Sequence, residues 1–181
     1  MCSEMLRHKR ETHLRNFYGR FKGKRLSKAQ QDSLLTEFKK YSLKNISWEE
    51  NPQRNKIKLS EIFDERPVWL EIGFGAGEHL VHQAKLNPDI GFIGCEPYQN
   101  GVAQLMGKLI TNPCENIKLY DGDVRYIFDV LAKNSISKVF LLYPDPWPKK
   151  RHHRRRFVTQ EFLIPLYESM KPGSILRIAT D

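Results

Sequence analysis

A chain of 181 residues with 40% apolar content has room for one globular core plus an extension, and no stretch approaches the roughly 20 apolar residues that a membrane helix requires. The first thirty residues lack the apolar run of a secretory signal. The three scattered cysteines, Cys2, Cys95 and Cys114, form no CxxC pair or zinc-spaced cluster, so a cytoplasmic protein with reduced thiols, no metal and no membrane partner is expected. The net charge of +9 is uneven: residues 1–60 hold 15 Lys/Arg against 6 Asp/Glu, and residues 61–181 hold 15 of each, six of those basic residues lying between Lys149 and Arg156. A basic arm, an acidic domain and one basic patch favour a polyanionic partner over a surface that merely aids solubility.

In chain order, the stretch up to about Lys24 has little periodicity and reads as an extended arm. Phe17, Tyr18 and Phe21 interleave there with Arg15, Arg20 and Lys22, a mix that suits either RNA contact or a small hydrophobic anchor. Residues 27–40 carry a helical pattern with Ser27 as cap. Residues 41–57 resemble a linker, and a short helix covers 59–63. From Pro67 short apolar runs alternate with helical segments. Strands are expected at 68–72, 91–95, 117–120, 138–143 and 174–180. Helices are expected at 78–86, 100–110, 124–132 and 159–170, with Lys171-Pro172-Gly173 as a turn. Five strands alternating with helices define an α/β fold with a parallel sheet and right-handed crossovers. Such sheets bind ligands beyond the carboxyl ends of their strands. The expected division is a basic arm and helix over residues 1–60, in contact with RNA, and a ligand-binding α/β domain over 61–181.

The first strand runs into Glu71-Ile72-Gly73-Phe74-Gly75-Ala76-Gly77, where glycines let backbone and ligand approach closely. The pattern also approximates the dinucleotide fingerprint. A pyrophosphate here would meet Glu71 and Glu78 with no nearby Lys or Arg. S-adenosylmethionine, with a sulfonium and an ammonium and no phosphate, suits an acidic loop better. Glu96, ending the second strand, suits ribose hydroxyls. Asp123 follows the third strand and suits an adenine amino group, or caps the next helix. The fourth strand ends in Tyr143-Pro144-Asp145-Pro146-Trp147-Pro148, whose prolines hold Asp145 in a stiff loop at the ligand edge. Trp147 either stacks on a base or packs the loop. The basic run Lys149 to Arg156 follows directly, well placed to hold phosphates beside the reaction centre. His79 and His82 read as ordinary surface or packing residues.

At these motifs the chain resembles the bacterial tRNA (guanine-N7)-methyltransferases over roughly residues 20–181. The segments that carry the likeness are Leu70-Glu71-Ile72-Gly73-Phe74-Gly75, Gly94-Cys95-Glu96, Pro144-Asp145-Pro146-Trp147-Pro148-Lys149-Lys150-Arg151-His152 and the closing Ala179-Thr180-Asp181. The resemblance implies a Rossmann-like class I methyltransferase fold. It implies that Glu71, Glu96, Asp123 and Asp145, with Gly73, Gly75 and Gly77, hold S-adenosylmethionine, and that Asp145 is also the active-site carboxylate. It further implies that Lys149 and Asp181 contact the substrate, that Arg151, His152, His153, Arg154, Arg155 and Arg156 contact RNA, and that the target is guanine 46 of tRNA. Members of that family continue with a further helix, an antiparallel strand pair and a Thr-x-x-Glu motif that this sequence does not contain, so an incomplete catalytic domain is expected. Two readings follow: an active methyltransferase, or an RNA-binding remnant without catalysis. A methyltransferase for small molecules or proteins is disfavoured by the basic arm.

Overall fold

The computed structural model describes residues 15–180. Strands β1 (Val68–Ile72), β2 (Gly91–Cys95), β3 (Ile117–Tyr120), β4 (Ile136–Leu142) and β5 (Met170–Ala179) form one sheet in the order β3-β2-β1-β4-β5. Every pairing is parallel. Helices α4 (Glu78–Leu86), α5 (Gln99–Thr111), α6 (Val124–Phe128) and α7 (Gln160–Ser169) lie between successive strands, and α1 (Lys28–Thr36), α2 (Phe38–Tyr41) and α3 (Leu59–Phe63) precede the sheet. The chain reverses its winding direction between β1 and β4, so the switch-point crevice opens at the carboxyl ends of these central strands.

Strand alternation sorts the core into two layers. Val68, Leu70, Ile72, Ile93, Cys95, Val139 and Leu141 face one cluster with α3, α6 and Leu166 of α7. Phe92, Ile117 and Leu119 face the other, with Leu80 and Ala84 of α4 and Val102, Leu105, Met106 and Leu109 of α5. The buried Asn116 ties the turn after α4 to the sheet: its Nδ2 donates to the carbonyls of Ala84 at 3.0 Å, Asn87 at 3.2 Å and Ile90 at 2.9 Å.

Several local expectations are revised. Residues 27–40 split at Glu37 into α1 and α2, although Ser27 caps α1 as expected, in a capping box with Gln30. Residues 41–57 are not a loose linker. Leu43, Ile46 and Ile57 are buried in the same cluster as the central strands, and the backbone is pinned by Leu43 N to Leu119 O and Ile57 N to Val130 O. Helix α6 ends at Phe128, four residues early, because Val130 and Leu131 turn inward to the core. The Lys171-Pro172-Gly173 turn lies inside β5 as a bulge: Ile136 pairs with Met170, but Lys138 pairs with Ile175, and Gly173 has φ +76°.

Removing the Asn116 amide leaves the buried bond to Ala84 O unmade and takes a donor from the Ile90 and Asn87 carbonyls, the latter still accepting Ile90 N–H. Asn116→Ala is expected to lower stability by about 2 kcal/mol, measured by urea unfolding. A change within about 0.5 kcal/mol would show those carbonyls to be satisfied otherwise.

Candidate active site

The crevice at the switch point is a cavity of about 540 Å³, within the usual range for small-molecule sites. Its floor is the carboxyl ends of the strands: Ile72 and Gly73 after β1, Cys95 and Glu96 after β2, Asp123 after β3, and Leu142 to Asp145 after β4. The roof is unexpected in kind. Asn16 to Arg20 of the arm close one side, and Trp147, Arg154, Arg155 and Phe162 close another.

The glycine loop leaves room for a ligand. Gly73 and Gly75 have φ of +73° and +56°, and a Cβ built on either would meet nothing within 4 Å. Opposite, a Cβ on Gly101 of α5 would come within 2.4 Å of Gly75 O, so α5 seats against the loop only because that position is glycine. Gly77, with φ +78°, packs on Leu105 and does not line the cavity.

Each acidic side chain meets its burial differently. Glu96 is 8% exposed, and its carboxylate accepts Gly75 N–H at 2.8 Å and Tyr98 N–H at 2.9 Å. Burial pushes its pKa above the ordinary carboxylate value; those two backbone donors oppose the shift, and the nearby Asp145 adds to it. Asp123 both caps α6, accepting Arg125 N–H at 2.9 Å, and forms an ion pair with the Arg125 guanidinium at 2.5 Å. Arg125 also binds Glu161 of α7 and donates to Asn16 O of the arm at 2.9 Å, with Phe162 under its guanidinium. Asp145 is exposed on the cavity wall. Its loop is strained at both ends, since Tyr143 and Trp147 have φ of 52° and 40°, a region costing bulky residues on the order of 1–3 kcal/mol. Arg156 holds that loop, donating to Pro146 O at 2.9 Å and Trp147 O at 3.3 Å.

Glu71 does not line the cavity. It is 3% exposed behind the glycine loop, with its carboxylate 2.6 Å from His79 Nδ1. Burial raises its pKa, and the His79 contact opposes that shift. The basic run forms a 3₁₀ turn over Lys150–Arg155. Lys149, Arg151, His153 and Arg154 are exposed. His152 meets the Trp147 ring edge-on at 5.6 Å, while burial and then the surrounding Arg155, Arg151, Lys149 and Arg154 charges lower its pKa. Arg155 and Arg156 turn inward. Asp181 lies outside the described residues.

Sequence reasoning missed Arg125 and the roofing role of residues 16–20. The aromatic and basic interleaving of the arm was the available signal for the second. For Arg125, only its place two residues after Asp123 pointed there. Among the described residues, no cluster of His, Cys, Asp and Glu is suited to a metal, and no helix is long and apolar enough to cross a membrane.

A 3-2-1-4-5 parallel sheet with a glycine loop after β1 and acids after β2 and β3 is the Rossmann-like frame of the class I S-adenosylmethionine-dependent methyltransferases. Two solved methyltransferases share the fold. The antibiotic-resistance methyltransferase Kmr aligns with TM-score 0.53 and 16% identity over 68% of this chain and 63% of that one. The aminoglycoside resistance methyltransferase NpmB1 gives 0.51 and 19% over 66% and 59%. A family model described as "Putative methyltransferase" matches residues 65–181. The tRNA (guanine-N(7)-)-methyltransferases of Ruegeria sp. (strain TM1040) and Roseobacter denitrificans are each 58% identical over 92% of this chain, which spans 66% and 72% of their respective lengths. The corresponding protein of Agrobacterium fabrum is 43% identical over 91% of this chain and 69% of its own length. The chain belongs to the tRNA (guanine-N(7)-)-methyltransferase family.

A buried carboxyl whose folded pKa lies above its unfolded value stabilises the fold below the unfolded value, and that contribution is lost as pH rises through the folded one. Glu71→Gln, which keeps an acceptor for His79, is therefore expected to match the parent near pH 4 and to be at least as stable at pH 7, measured by thermal melts across that range. A variant markedly less stable only at pH 7 would show that the charged Glu71–His79 pair outweighs desolvation.

Proposed function

We propose that this chain transfers a methyl group from S-adenosylmethionine to N7 of a guanine in tRNA, at position 46, in the cytoplasm. The observation that carries the reading is the convergence of Glu96, Asp123, Asp145 and Gly73 of the glycine loop on one cavity beside an exposed basic turn. Gly73, Gly75, Glu96 and Asp123 hold the donor, Glu96 facing the ribose and Asp123 the adenine. Glu71 acts from behind the loop, through His79 of α4, and Gly77 by seating α4 and α5 together. Lys149 and Asp181 contact the substrate. Arg151, His153 and Arg154 grip the RNA backbone, while His152 and Arg156 set the Asp145 loop.

When bound, S-adenosylmethionine supplies a methyl on a sulfonium, and its transfer to the N7 lone pair leaves neutral sulfur and a cationic purine. Guanine N7 carries no proton, so the site needs no strong general base. The protein's work is alignment and stabilisation of the charge arriving on the purine. Asp145 serves one of these needs: a carboxylate fixed between prolines on the cavity wall either stabilises the arriving charge or orients the base by accepting from its amino and imino hydrogens. N7 is an acceptor of the major-groove edge, so the RNA must expose that edge locally while the basic turn holds its phosphates.

Purified chain incubated with labelled S-adenosylmethionine and unmodified tRNA is expected to yield N7-methylguanosine on nucleoside analysis. Salt-sensitive tRNA binding without any product would favour the non-catalytic remnant. Asp145→Asn is expected to lower kcat by about 10²-fold or more, with donor affinity, read by calorimetry, changed by only a few-fold. Parent-like turnover in that variant would remove Asp145 from the chemistry.

A further inference from the structure

Two aromatic faces converge in the cavity roof on a single planar cation. The Arg155 guanidinium carbon lies 4.9 Å from the ring centroid of Tyr18 and 5.0 Å from that of Trp147. Tyr18 comes from the arm and Trp147 from the Asp145 loop, and all three side chains line the same cavity as Asp145. Arg155 Nε is buried without a hydrogen-bond partner, an incomplete arrangement for a guanidinium.

The two walls are held independently of Arg155. Trp147 is set by the edge of His152 and by the Arg156 bonds to its loop. Tyr18 is set by its neighbours: Arg15 makes two hydrogen bonds to Asp129, at 2.9 and 2.8 Å, and Asn16 O accepts from Arg125 at 2.9 Å. Further along the arm, Gly23 N donates to Asn100 Oδ1, and Asn100 Nδ2 donates to Lys24 O, each at 2.8 Å.

We propose that Tyr18 and Trp147 form an aromatic cage for the purine being methylated, and that Arg155 occupies it as a stand-in for the cationic N7-methylated ring. The inference rests on the methyl transfer proposed above and names how its base is recognised. Neutral guanine gains stacking from such faces. The methylated ring gains stacking plus attraction of its positive charge to the ring quadrupoles. A cage that prefers the charged ring stabilises the transition state more than the substrate, which is the requirement for raising kcat. On entry of the base, Arg155 leaves the cage and joins Arg151 and Arg154 toward the phosphates flanking it.

The test uses the full chain and two probes, N7-methylguanosine 5′-monophosphate and guanosine 5′-monophosphate, with binding read by calorimetry. The methylated nucleotide is expected to bind about fivefold tighter or more. That preference should fall to within about twofold in Tyr18→Ala and Trp147→Ala and persist in Tyr18→Phe and Trp147→Phe, which keep an aromatic face. No preference up to millimolar nucleotide, or a preference unchanged in both alanine variants, overturns the cage. Preference without methyl transfer to tRNA keeps the cage and rejects the proposed activity. Methyl transfer without preference does the reverse.

Discussion

Carboxylates gathered at one end of a parallel sheet repel one another and lose hydration, and the site is built around the ways this chain keeps them there. Glu96 is held by two backbone N–H groups, one of them from the glycine loop itself. Asp123 is held by Arg125, and Asp145 stays exposed on a stiff loop. Without those separate solutions the rim would neutralise by protonation or splay apart. The upward displacement of the Glu96 pKa comes first from burial, with repulsion from Asp145 adding a smaller part. A cationic ligand relieves that repulsion and a phosphate aggravates it, so the same electrostatics that strain the rim favour a sulfonium over a dinucleotide.

The cations are equally divided by task. Within the basic stretch, exposed Lys149, Lys150, Arg151, His153 and Arg154 can pair with phosphates, whereas Arg156 is committed to loop carbonyls and Arg155 lies on ring faces in this structure. A run of six basic residues is therefore not six equivalent contacts. Arg156 fixes the loop that carries Asp145 and Trp147, Arg155 lies between the Tyr18 and Trp147 rings, and the outward members are free to set the salt dependence of binding.

Much of the architecture was legible because buried parallel strands read as short apolar runs and amphipathic helices as a 3.6 period. β1, β2, β3, α3 and α4 fall at the residues expected. What escaped depends on partners distant in sequence. Residues 41–57 have no period of their own, yet Leu43, Ile46 and Ile57 reach the central core. The Lys171-Pro172-Gly173 turn is local chemistry read correctly, but β4 captures both flanks and turns it into a bulge. Glu71 shows a subtler limit. Alternation places it on the same side as Gly73 along an ideal strand, but the chain leaves strand geometry at the positive φ of Gly73, and α4 brings His79 to the carboxylate. Cleft membership of Glu96 and Asp145 follows from strand ends; that of Tyr18 follows from an arm whose anchors, Asp129, Arg125 and Asn100, lie 77 to 114 positions away.

Arg125 ties the carboxylate rim to the arm. One guanidinium, 5% exposed, binds the carboxylate of Asp123, Glu161 of α7 and the Asn16 carbonyl of the arm. The Asp123 oxygens already accept from Arg125 backbone N, Nε and Nη2, close to the capacity of a carboxylate, which has about four lone-pair sites. A further donor at Asp123 must share or replace a bond to Arg125, and any shift of that guanidinium is felt at Asn16, two residues from Tyr18. The carboxylate rim and the Tyr18 side of the cavity roof are thus mechanically linked through a single buried cation. An arm so tied cannot be treated as an independent RNA-binding appendage: its position is set from inside the cavity it covers.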